Sequence, residues 1–226
     1  MKRSEINEIM ESAKGFLFDS KFYLPSFAYW TPDDWKTKTN ISEIVDCGLG
    51  WDITDFGSHQ FKDTGLFLFT VRNGQPKNLE TRSGKLYAEK IMLAEVHQVT
   101  PMHFHWGKME DIINRGGGKL IIELHNSTKE NMLDDTDVRV VLDGVLHRFK
   151  AGTRVSLNPG ESITLPQRMY HSFWAEEGKV LIGEVSLVND DHLDNCFLKP
   201  VGRFPIIEED ASPLHLLVGD YGRYCG

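Results

Sequence analysis

The chain has 226 residues, enough for one β-barrel domain with a sizeable core. Its formal net charge of −8, with no basic run or Arg/Lys-rich helix, argues against nucleic acid as a partner. Three scattered cysteines, Cys47, Cys196 and Cys225, form neither a disulfide framework nor a CxxC pair and fit a reducing cytoplasm.

The start, Met1–Glu8, turns acidic before a signal-peptide core could form, and no apolar run reaches membrane-spanning length, so a soluble cytoplasmic protein is expected. Ser4 is placed to cap a first helix, in which Ile6, Ile9, Met10, Ala13, Phe16 and Leu17 recur on one face and Gly15 weakens the last turn. Thr31-Pro32-Asp33-Asp34 opens a second helix, with a cap, a proline at the first position and two carboxylates against the dipole. Trp35 then belongs to a core or an interface. From Leu66 the pattern changes to strands. Leu66–Val71 is closed by the hairpin signal Asn73-Gly74, and Tyr87–Val99 follows. Gly116–Gly118 reads as a tight turn into Lys119–Leu124, and residues 126 to 137 as a polar loop. Val138–Leu142 and Val145–Phe149 make a hairpin about Asp143-Gly144. Ser156–Leu165 and His171–Val188 complete the series, the latter divided by a turn at Glu177-Gly178.

Short strands at this density predict an all-β core, an antiparallel double-sheet barrel with the N-terminal helices packed outside. A single domain over residues 1–226 is expected: a helical and irregular region over 1–65, the barrel over 66–190, and an arm over 191–226 that covers an edge or the site.

The segment Pro101-Met-His-Phe-His-Trp-Gly-Lys-Met-Glu110 carries the chemistry. Side chains alternate along a strand, so His103 and His105 share a face while Phe104 takes the other. Gly107 permits a bulge that returns the Glu110 carboxylate toward both imidazoles. Imidazole with carboxylate suits Mn, Fe, Co, Ni or Zn. Downstream, Gly160 leads into a short apolar strand, Pro166 ends it, and His171 opens the next. The two segments together resemble the paired motifs of the cupin superfamily. His103, His105, Glu110 and Gly117 match the spacing of the first motif, and Gly160, Pro166 and His171 that of the second. His97, Arg168 and Ala175 stand where the family has Gly, Gly and Asn, which are turn and packing positions. The resemblance implies a jelly-roll barrel and one divalent metal on His103, His105, Glu110 and His171.

Around these ligands, Lys108 lies two residues before Glu110, within reach of the metal's side, where burial and the cation would lower its pKa as acid–base lysines require. A solvated loop lysine is the alternative. If Glu177-Gly178 is a two-residue hairpin loop, His171 faces Glu184 across the ladder and a second carboxylate joins the site; a one-residue slip would turn Glu184 outward. Asn189–Asn195 is an acidic cluster after the last strand, and Asp191 is its candidate for sugar hydroxyls. Arg168, Trp174 and, more weakly, Glu208 are candidates for lining the pocket. The remaining histidines lack ligand spacing.

Residues 103–118, 170–176 and 183–191, with the opening Met-Lys-Arg-Ser-x-Ile-Asn, resemble the D-lyxose isomerases, the sugar-isomerase branch of the cupins. That resemblance implies a homodimer that uses Mn2+ or a similar ion to interconvert D-lyxose with D-xylulose and D-mannose with D-fructose, with Lys108 catalytic. The expected chemistry is proton transfer through a metal-bound enediolate, with Glu184 as carbon base. A hydride shift stays open, as do a cupin Fe(II) dioxygenase and a non-catalytic sugar-binding cupin. No cluster of basic residues near the motifs points to a phosphorylated sugar.

Overall fold

The computed structural model describes residues 1–225. Helix α1 (Arg3–Asp19) buries Ile6, Met10, Ala13 and Leu17, the face its periodicity marks, and runs through Gly15 to its end. Ser4 does not cap it. Lys2 holds that position, and the amide and hydroxyl of Ser4 both donate to the Asp210 carboxylate, so the orphan donors are met from the far end of the chain. Arg3, fully buried, makes forked hydrogen bonds to Glu209 and Asp220 and fixes the same two ends together. A 3-10 turn at Ser26–Tyr29 precedes α2 (Pro32–Thr37), whose Thr31–Asp34 capping box follows the sequence signal, and α3 (Ser42–Asp46). Trp35 is buried against Leu216 and Tyr221.

The segment before residue 66 also contains a strand. β1 (Gly50–Thr54) pairs along its length with β2 (Leu66–Arg72). Asn73-Gly74 is not a hairpin turn. The chain passes through α4 (Pro76–Thr81) before β3 (Tyr87–Ala94) returns to β2. The Asn73 side chain is instead buried and donates to the carbonyls of Cys47 and Asn189. β4 (Thr100–His105), β5 (Glu110–Ser127) and the short β6 (Leu133–Asp134), within the expected loop, come next. β7 (Val138–Leu142) and β8 (Val145–Phe149) form the expected hairpin, with Asp143 and Gly144 at φ 46° and 82° as a primed turn requires. β9 (Thr153–Leu157), β10 (Ser162–Leu165), β11 (Tyr170–Leu187) and β12 (Asn195–Phe197) complete the strands, and α5 (Tyr221–Tyr224) follows.

Two strands of 18 residues, β5 and β11, organise the roll. The first part of β5 pairs with the last part of β11 in a sheet ordered β1-β2-β3-β11-β5-β10-β7-β8. Their other halves pair again in a facing sheet with β9 beside β5 and β4, then β12, beside β11. Both strands change sheets at one place, and there the sequence reading is corrected twice. Gly116–Gly118 is a bend within β5 and not a turn between strands; Glu177-Gly178 is a bulge within β11 and not a hairpin loop. Gly117, at φ 96°, lies so close to the Lys179 carbonyl that a Cβ would overlap it. Gly117→Ala is therefore expected to lower stability by about 2–4 kcal/mol, read as a shift in the urea midpoint at unchanged slope. A shift under about 0.5 kcal/mol would show that the bend tolerates a side chain.

The main core lies between the sheets, with Leu68, Met92, Ile112, Leu120, Ile122, Ile163, Phe173 and Ile182 in it. A second core fills the space between the outer face of β1–β3 and α1, around Trp51, Phe69 and Ile91. The N-terminal helices thus pack outside the barrel, as expected. No helix among the described residues is long and apolar enough to cross a membrane.

Candidate active site and metal centre

The pocket opens between the sheets, where β4, β5 and β11 bring their inward side chains together. Inward alternation on β4 places His103 and His105 there, and His171 pairs with His103 across the β4–β11 ladder. One ring nitrogen from each of the three lies within 4.8 Å of the others. The bend at Trp106-Gly107 returns the chain so that Glu110 Oε1 sits 3.4 Å from His105 Nε2 and 3.3 Å from His171 Nε2.

Three of the four candidate donors, His103, His171 and Glu110, have the state a metal needs. His103 Nδ1 and His171 Nδ1 donate to the carbonyls of Pro101 and Met169, 2.8 and 3.0 Å away, which leaves both Nε2 lone pairs aimed inward. Burial pulls His103 well below the usual imidazole value and brings His171 down to about 4, so both rings are neutral. Burial opposes the charge on Glu110, but Lys108 and the imidazoles hold its carboxyl well below the usual range. Glu110 Oε1 is buried with no hydrogen-bond donor among the described residues. An uncompensated carboxylate oxygen facing imidazole lone pairs fits a cation between them.

Lys108 is buried. Its ammonium stands 2.8 Å from Glu110 Oε2, 2.7 Å from Glu184 Oε1 and 3.3 Å from Asn189 Oδ1. Burial pulls this lysine toward neutrality, yet the two carboxylates outweigh it and raise its pKa. For the chain by itself the direction is opposite to the lowering that the sequence reading expected from burial and a bound ion, because Glu110, two residues on, and Glu184, from β11, both favour the charged lysine. Glu184 also accepts from the Ser186 hydroxyl at 3.2 Å. It reaches the pocket by a different route from the one its hairpin register implied. It pairs with Ile112 on one side and Lys90 on the other, and the Glu177-Gly178 bulge, not a turn, sets the phase that points it inward.

Asp191 lies in the pocket wall, 3.1 Å from Lys90 and 3.7 Å from Arg203. Burial works against its charge, and Lys90, then Arg203 and Lys108, hold its pKa well below the usual carboxylate value. Arg203, from the arm after β12, pairs also with Asp52 of β1, and its Nη1 is buried without a partner among the described residues. Phe56, Leu66, Leu68, Phe173 and Phe197 supply apolar walls.

Three further candidates lie elsewhere. Trp174 points to the outer face of its sheet, donates to Glu176 and sits under Arg154. Strand alternation from His171 already excludes it, since Phe173 takes the inner face. Arg168 stacks on Phe104 and Trp106 and donates to Thr128 and Asn131, bracing the outside of the ligand strand. The backbone of Glu208 pairs with Met1 and Arg3 beside α1. Sequence reasoning missed Lys90 and Arg203, and had Asn189 only as a member of the cluster after the last strand. Lys90 had a signal: it is the charged residue on the inward phase of Ala88, Met92 and Ala94. Arg203 stands in an irregular segment, where no periodicity marks a face.

The fold is an antiparallel barrel of the cupin type, and its buried histidine triad could hold a metal ion. A sequence model described as D-lyxose isomerase matches residues 1–221. The D-lyxose/D-mannose isomerase of Serratia proteamaculans is 50% identical over 228 aligned positions, covering 99% of each chain. That of Escherichia coli O157:H7 is 48% identical, covering 99% of this chain and 100% of its own. The chain belongs to the D-lyxose isomerase family and is an aldose–ketose isomerase. Among solved structures, the L-ribose isomerase of Cellulomonas parahominis superposes with a TM-score of 0.60 at 15% identity, covering 92% of this chain and 98% of that one, a likeness of fold.

Proposed function

We propose that the chain interconverts D-lyxose with D-xylulose and D-mannose with D-fructose, with one divalent ion, Mn2+ foremost, on His103, His105, Glu110 and His171. The observation that carries this reading is the Lys108 ammonium bridging Glu110 and Glu184, which sets a proton donor and a carboxylate beside the ligand cluster. When bound, the ion acts as a Lewis acid toward the sugar carbonyl and hydroxyl oxygens. Glu184 takes the proton from C2 of the open-chain aldose. The C–H electrons form the C1–C2 double bond of an enediolate, and O1 takes up the charge. Lys108 passes a proton to O1 and takes one from the O2 hydroxyl, so the negative charge moves from O1 to O2 while the lysine stays hydrogen-bonded to the charged oxygen. Glu184 then returns the proton to C1 as the carbonyl forms at C2.

Asp191, Lys90 and Arg203 bind the remaining hydroxyls. Cations do converge here, although the sequence shows no basic cluster, but each faces a carboxylate, so the pocket favours a neutral sugar over a phosphorylated one. As in the family implied by the sequence, the enzyme works as a cytoplasmic homodimer.

Protein stripped of metal and reloaded with Mn2+ is expected to form ketose from D-lyxose and D-mannose in anaerobic buffer, read by a colorimetric ketose assay. The same panel run with Fe2+, Co2+, Ni2+ and Zn2+ ranks the metals. No ketose from either aldose with any ion refutes the assignment, and a requirement for oxygen would favour a dioxygenase.

A further inference from the structure

The bend that carries Lys108 is capped by Asp194, from outside the barrel strands, and Gln167 adds a side-chain hydrogen bond to the Gly107 carbonyl at 3.1 Å. Three successive amides, those of Trp106, Gly107 and Lys108, donate to Asp194: the first to its carbonyl at 3.0 Å, the others to Oδ1 and Oδ2 at 2.6 and 3.2 Å. Asp194 is fixed in turn, because its own amide donates to the Asp190 carbonyl at 3.0 Å and the next residue, Asn195, pairs with His105 in the β4–β12 ladder. A cap of this kind explains the bend alone. His105 adds a second observation. Its Nδ1 is buried and has no hydrogen-bond partner among the described residues, whereas the corresponding nitrogens of His103 and His171 each have a backbone carbonyl. The Asp194 carboxylate is the acid that faces it, with Oδ2 at 3.8 Å.

We propose that Asp194 is a positioning residue of the active site, which sets the Trp106–Lys108 bend and serves as the outer carboxylate partner of His105. This rests on the reading of His105 as a metal ligand. A ligating imidazole donates its other N–H to an acceptor that fixes the ring and raises the basicity of the ligating nitrogen. Asp194 is the anion placed for this, and the same oxygen accepts the Lys108 amide, so ligand orientation and the start of the lysine side chain are set together. The acidic segment after β11 is therefore a functional part of the metal centre without supplying a ligand to it.

The test uses the whole chain, stripped and reloaded. Asp194→Asn and Asp194→Ala are compared with the parent for Mn2+ affinity by calorimetry, and for kcat and KM at saturating metal. Asp194→Asn keeps the shape and an amide acceptor but removes the anion. Both variants are expected to bind Mn2+ about 10–100-fold more weakly, with kcat falling further than KM changes. Mn2+ affinity within about threefold of the parent in both variants, whatever their melting temperatures, overturns the proposal and leaves a turn cap. A readout on the parent covers variants that fail to fold. In the Zn2+-loaded parent the His105 Nδ1 proton is expected downfield and slow to exchange, and rapid exchange with water also overturns it. A parent that takes up no divalent ion overturns the ligand reading instead.

Discussion

Lys108→Met is expected to lower kcat for aldose–ketose isomerisation by about 10³-fold while the metal stays bound. Methionine keeps most of the buried stem and removes the charged donor. The loss is that of one preorganised donor aimed at an oxygen where charge develops, about 4 kcal/mol. Metal should be retained because the substitution takes a cation away from Glu110 and leaves all four proposed ligands in the chain. A second effect follows from the ion pairs. Without Lys108, Glu110 and Glu184 are left as buried carboxylates with one fewer cation, and breaking such a pair costs about 3–5 kcal/mol. The metal-free variant should therefore unfold at lower urea than the metal-free parent, and added Mn2+ should recover more of that loss than it adds to the parent. Steady-state kinetics, metal analysis and urea titration read the three parts separately. Turnover within tenfold of the parent at full metal occupancy would remove Lys108 from the chemistry.

The clustering of His103, His105 and Glu110 was legible because its geometry is local. His103 and His105 share a face by strand alternation, and a bend of four residues suffices to return Glu110. The state of Lys108 was only half legible: Glu110, two residues away, is the first of the carboxylates that raise its pKa, but the second, Glu184, lies 76 residues away in sequence. Glu184 shows how a correct neighbourhood can follow from a wrong element. Glu177-Gly178 has the residue types of a two-residue hairpin, and both do adopt positive φ, at 61° and 148°. The same backbone conformation serves a bulge, and the choice between them belongs to the partner strand. Gly116–Gly118 bends opposite it, and a Cβ on Gly118 would overlap the carbonyls of Glu176 and Gly178. Two glycine-containing signals read separately as turns are in the fold one joint, where paired strands cross between sheets. Asn73-Gly74 failed as a hairpin for a related reason: its amide side chain is engaged by Cys47 and Asn189, contacts that no local pattern encodes. Trp174 and Arg168 stand on the outer side of the strands, where alternation from His171 already places Trp174.

Glu184→Gln is expected to lower kcat by about 10²–10⁴-fold and to leave KM for the aldose changed by much less. Glutamine preserves the shape and can still accept from the Ser186 hydroxyl and the Lys108 ammonium, so the wall of the pocket should remain. What it cannot do is take a proton from carbon. The parent enzyme run in deuterium oxide should place deuterium at C1 of the ketose, because a proton held on a carboxylate exchanges with hydroxyl protons and water during turnover. The two measurements together separate the routes. A hydride shift from C2 to C1 leaves carbon free of solvent deuterium and needs no base at residue 184, so it predicts unlabelled ketose and a modest loss in Glu184→Gln. A shielded proton transfer also gives little label, but it keeps the large loss in kcat. Unlabelled ketose combined with near-parent turnover in Glu184→Gln would therefore sink the carbon-base role and leave Glu184 as the partner that keeps Lys108 charged.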